Sequence, residues 1–267
     1  MDNTKFTVLL AKPEFLKPPE IAKVLSAARQ IPYQDAIHLV KNCWGFVAQD
    51  LEEKPAQDLA ARFGEAGLPA LVVPQAALLD LPPAAHVSSL VLAPENLTFV
   101  ESPEKSEAVS WSRLVLVACG VFDLRTFKTV TIKTGPSGTQ KLMTMGAYMM
   151  GIPFKFGGRS KTTEKKVENS EILMFVDFVL KDPAARFRID CQHFDFKFLK
   201  ERMLYNVMGN VRLVLGDVVK SAPQAWVSLG TRVLLESKPI RDMHYESLED
   251  LERESRWLLA LESLKPR

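Results

Sequence analysis

The 267-residue chain is poor in the side chains that do chemistry. It holds four histidines and three cysteines. No two of its candidate acids, bases or nucleophiles sit at a spacing that demands a reaction. Cys43, Cys119 and Cys191 form an odd, widely spaced set. That argues against a disulfide framework and fits a reducing compartment. No apolar run approaches the roughly 18 residues of a membrane span. The longest, 114–119 and 172–176, have the length of strands. The opening Met1-Asp2-Asn3-Thr4-Lys5 lacks a basic stretch followed by an apolar core, so no secretory leader is expected and the cytoplasm is the default location. What the chain does have is an ordinary globular mix, 47% hydrophobic and 25% charged residues. Its length suggests about two domains.

Net charge is +2, but it is unevenly spread. Residues 1–100 carry 8 Lys and Arg against 11 Asp and Glu. Between Arg125 and Glu168 nine basic residues face only Glu164 and Glu168. Such an excess draws anionic surfaces.

In the first half, Phe6–Leu10 reads as a strand. Pro18-Pro19-Glu20 opens a helix, proline fitting the first turn and Glu20 complementing the dipole. Ile21, Val24, Leu25 and Ala28 give it one apolar face. A second helix starts after Pro32, with Ala36, Leu39 and Val40 expected on its buried stripe. Cys43–Val47 is a short apolar link or strand around Gly45. A third helix, opened by Pro55, carries Leu59 and Phe63 and ends at Gly67 as a left-handed cap. A last strand covers Leu68–Val73. The expected product is a two-layer domain of three helices on three strands.

This order, with Pro-Glu-Ile-Ala-Lys-Val-Leu at 19–25, Gln-Asp-Ala-Ile-His-Leu-Val at 34–40 and Glu-Ala-Gly-Leu-Pro-Ala-Leu-Val-Val at 65–73, resembles the C-terminal domain of the bacterial ribosomal stalk protein, a fold shared with the Clp-protease adaptor. The resemblance covers roughly residues 5–75 and implies a domain that docks partner proteins. Where the stalk domain has lysine-rich helix faces, this chain has Ala27, Ala28 and Gln30. The stalk's factor-binding role therefore does not carry over.

Residues 76–95, with Pro82, Pro83, Pro94 and interspersed alanines, read as a partly ordered connector. Beyond it, Leu97–Val100 and Trp111–Val117 read as strands around a charged turn at Glu101–Glu107, and Gly120 is expected to break the second. Phe127–Lys133, Ile172–Leu180 and Arg186–Phe194 read as further strands, the last two joined at Lys181-Asp182-Pro183. The stretch 134–170 is longer than a usual hairpin connection, hence either mobile or functional. Val207, Val211, Val214, Leu215 and Val218 mark a long amphipathic helix. Residues 224–236 suggest another, and Ser247 opens the last with a near capping box. The strand bearing Val109, Trp111, Leu114 and Val117, with the long helix, resembles a pleckstrin-homology-like domain over roughly 96–222. That resemblance implies a binding module for proteins or anionic head groups.

The expected fold is α+β: residues 1–75 as a stalk-like domain, a 76–95 connector, a 96–222 sheet-and-helix domain and a 223–267 helical extension. Among candidate sites, Cys191-x-His193, flanked by Asp190 and Asp195, is the best metal pair, since residues two apart on a strand share a face. Zinc usually takes three or four ligands; His244 is the only later histidine and Cys119 could be recruited, but nothing in the sequence places either nearby. A buried thiol with a structural histidine is the plainer reading, so no metal, cofactor or catalytic residue is assigned. His38 and Cys43 lack an orienting third group. Gly135-Pro136-Ser137-Gly138 lacks the Lys-Ser/Thr and following helix of a phosphate loop. Phe194, Phe196 and Phe198, at strand spacing, read as core. The candidate surface for an anionic partner is Lys141, Lys155, Arg159, Lys161, Lys165 and Lys166, interleaved with Met143, Met145, Met149 and Met150. No base-reading motif accompanies it, which argues against nucleic acid. The sequence thus points to a non-enzymatic interaction protein with a protein partner. The alternatives are a peripheral binder of membrane or other anionic surfaces and a metal-dependent enzyme using Cys191 and His193.

Overall fold

The computed structural model describes residues 4–134, 161–243 and 245–265, with backbone alone for 123–134 and 161–171. The fold is α+β, with three sheets and C-terminal helices among the described residues. The chain divides into two compact units, Met1–Phe122 with Leu173–Arg267, and Asp123–Ile172.

The first unit begins as the periodicity predicts. Strand β1 (Phe6–Leu10) lies between β2 (Phe46–Leu51) and β3 (Ala70–Pro74), antiparallel to both. Helices α1 (Pro18–Arg29), α2 (Tyr33–Val40) and α3 (Glu53–Glu65) supply its apolar faces through Ile21 and Leu25, Ala36 and Val40, and Leu59 and Phe63. Gly67, at φ 74°, closes α3 in the left-handed region. Leu39 departs from expectation. It is 56% exposed, because the buried stripe of α2 runs through Ala36 and Val40 and an eight-residue helix has room for little more.

The expected connector contains two strands, β4 (Ala84–Val87) and β5 (Ser89–Leu92). Pro82 and Pro83 precede β4, where a missing N–H costs no ladder bond. β5, β6 (Asn96–Ser102) and β7 (Lys105–Ser110) form an antiparallel sheet. Most of the stretch expected as a charged turn is therefore strand. Ser102 pairs with Lys105 across a two-residue turn, and β7 reads as loop because only Val109 in it is buried.

The largest sheet runs β11-β8-β9-β10-β4. Its strands β8 (Leu114–Thr134) and β9 (Lys161–Leu180) are unusually long, β10 covers Ala185–Asp190, and β11 only Trp226–Val227. Trp111–Arg113, expected as the start of a strand, is a single helical turn. Gly120 does not end β8. A Cβ there would lie 2.6 Å from the tip of the Phe122 ring and 3.1 Å from Leu251 Cδ2, so a larger residue would have to displace those side-chain ends. Residues 224–236 yield β11 and the short helix α5 (Leu229–Leu235) in place of one helix. Helix α4 (Val207–Ser221) buries Val211, Val214, Leu215 and Val218 of its expected stripe, while Val207, in the first turn, is 41% exposed.

Helix α6 (Leu248–Ser263), opened by the capping box Ser247–Asp250, ties the unit together. Its Trp257 is fully buried and donates its indole N–H to Leu10 O of β1 at 2.9 Å. Gly45, at φ 85°, lies directly on that ring; a Cβ there would sit 2.0 Å from Trp257 Cδ2. On the β9–β10 face, Arg186 and Arg188 both donate to the buried Asp177 carboxylate, and each reaches Glu252 of α6, at 2.7 and 3.1 Å. Burial pushes the Asp177 carboxyl up, to about 6, against the pull of Arg188. Each guanidinium and carboxylate has a partner, the condition for burying charge.

Candidate functional site

A cleft of about 640 Å³ lies where α1, α2, α5 and the segment before α6 meet. Its volume falls in the range of ligand pockets, roughly 300–1,000 Å³. Leu16 and Pro18 line one side, Ile37 and Val40 of α2 another, and Leu229 of α5 a third. Trp44 and Tyr245, themselves buried at 4% and 9% exposure, close its floor, and Lys41, Asn42, Asp242 and Glu246 supply its polar lining.

Trp44 is held in an unusual way. Its φ of 45° puts a bulky side chain in the left-handed region, a conformation that costs of order 1–3 kcal/mol. The surroundings fix it there. Its indole N–H donates to Asp250 Oδ1 at 2.9 Å, and its ring lies 4.8 Å from that of Tyr245. Asp250 Oδ2 accepts from the backbone N–H groups of Glu246 and Ser247, so one carboxylate caps α6 and anchors Trp44.

Tyr245 is anchored from behind. Its hydroxyl donates to Glu254 and accepts from the Gly230 N–H at 3.0 Å. Glu254, fully buried on α6, also accepts from the Leu229 N–H at 2.8 Å, at the start of α5. Burial raises the Glu254 carboxyl and raises the Tyr245 phenol well above its ordinary value. At the rim, Lys41 Nζ lies 2.5 Å from Glu246 Oε1 and holds that carboxyl below its usual range. The polar atoms of Trp44 and Tyr245 are thus engaged in supporting the rings. The arrangement is a pre-organised apolar surface with a charged edge, suited to taking up a side chain or short segment.

The candidates from sequence are not brought together. β10 stops at Asp190, so the two-residue alternation does not extend to Cys191 and His193. Cys191 is buried, while the His193 side chain is 78% exposed and meets Asp190 at 2.8 Å. Asp195 instead accepts from the Lys197 N–H. Burial raises the Cys191 and Cys43 thiols and pushes Cys119 up to about 12. They are protonated at neutral pH, whereas nucleophiles and metal ligands are thiolates. Near Cys43, His38 is exposed. Among the described residues no group of three or more His, Cys, Asp or Glu is placed to hold a metal. His244, Lys141, Lys155 and Arg159 lie outside the described residues, as does the Gly135–Gly138 turn. Lys161, Lys165 and Lys166 fall on β9 where only the backbone is described. Phe194 and Phe196 are buried and Phe198 partly so, but they lie in an irregular segment and the helical turn after it rather than in a strand.

Sequence reasoning missed Trp44 and Tyr245. The available signals were a tryptophan beside a glycine and a tyrosine just ahead of a capping box. It also missed Met203, Leu204 and Tyr205, three large apolar side chains exposed ahead of α4. No protein-family model, curated protein or solved structure matches the chain.

Proposed function

We propose that the protein is a non-enzymatic adaptor that docks a partner polypeptide in the cleft between α2 and Tyr245. The observation that carries this reading is the construction of the cleft: two aromatic rings are fixed from behind by buried carboxylates, and their polar atoms are used for support. Rigid aromatic anchors in a desolvated pocket are what polypeptide recognition uses. The likeness of residues 5–75 to a partner-docking domain supports the same reading. Ile37, half-buried in the cleft wall, provides the test. Affinity capture from the native lysate should recover a stoichiometric partner with the wild-type chain and lose it with Ile37→Glu, while circular dichroism shows both folded. Equal recovery by the two proteins would contradict the proposal.

The charge of residues 125–168 favours a second contact, with an anionic surface such as a membrane. Nine basic against two acidic residues is an excess that counter-charged lipid attracts. Co-sedimentation with vesicles containing anionic lipid should then weaken with added salt and with the triple substitution of Lys161, Lys165 and Lys166 to Ala. Binding indifferent to both would end this reading.

A further inference from the structure

We draw no further inference here: the strongest candidate, the exposed apolar surface patch of Met203, Leu204 and Tyr205 ahead of α4, carries nothing because nothing in the structure shows what covers it.

Discussion

At the scale of single residues, the cleft depends on positions whose importance comes from what lies behind them. Gly45 combines a left-handed φ with a ring 2.0 Å from where a Cβ would be. Gly45→Ala should therefore cost about 3 kcal/mol or more, by strain and by displacement of Trp257. Gly64 is the contrast, a helical glycine with nothing within 4 Å of its would-be Cβ. Gly64→Ala should stabilise by about 0.4–1 kcal/mol in denaturant titration. Glu254 provides a pH test. Its folded value is raised above that of the unfolded chain, so the native state binds the extra proton. Its stability contribution is complete below about 4.5 and is lost as pH rises through the folded value. Stability relative to Glu254→Gln should thus be lowest for the wild type at neutral pH and recover toward pH 4.5. A difference independent of pH would show that Glu254 is not buried as described. None of this was legible in the chain, since neither a lone Trp44 nor a lone Glu254 announces a partner more than 200 or 20 residues away.

At the scale of elements, helices were easier to read than strands. The 3.6-residue stripes of α1, α3 and α4 and the Ser247 box of α6 carry their own period and caps. Strand limits depend on neighbours the sequence does not display. β8 runs through Gly120, which faces the Phe122 and Leu251 side chains, and β7 pairs with β6 although it buries a single side chain. The apolar segment ahead of α4 lacks period altogether. The Asn210 side chain holds it, accepting from the Leu204 N–H at 2.6 Å and donating to Leu204 O at 3.0 Å. Asn210→Ala should therefore cost about 1–3 kcal/mol by leaving both backbone groups unpaired. Tyr205→Ser, at a fully exposed position, should change stability by less than about 0.5 kcal/mol. Thermal unfolding of the two variants checks the contrast.

At the scale of the molecule, the α+β class and the order of elements in residues 5–75 followed from composition and period. The contacts that join that region to the C-terminal helix did not. Trp257 reaches β1 and Asp250 reaches Trp44, so residues 1–122 and 173–267 share one core. Far-ultraviolet dichroism and tryptophan fluorescence should report one coincident transition for this unit. Early melting of the first 75 residues alone would show that the shared core is not cooperative. The cleft sits on the same junction, which is why it could not be read from either end of the chain. The central claim, docking by contact at that junction, is tested most directly by a photo-crosslinking side chain placed at Ile37 in the native host, with a second at exposed Glu104 as reference. The account predicts one discrete protein adduct from position 37 and none of matching mass from position 104; an adduct pattern common to both positions, or none at 37, would contradict it.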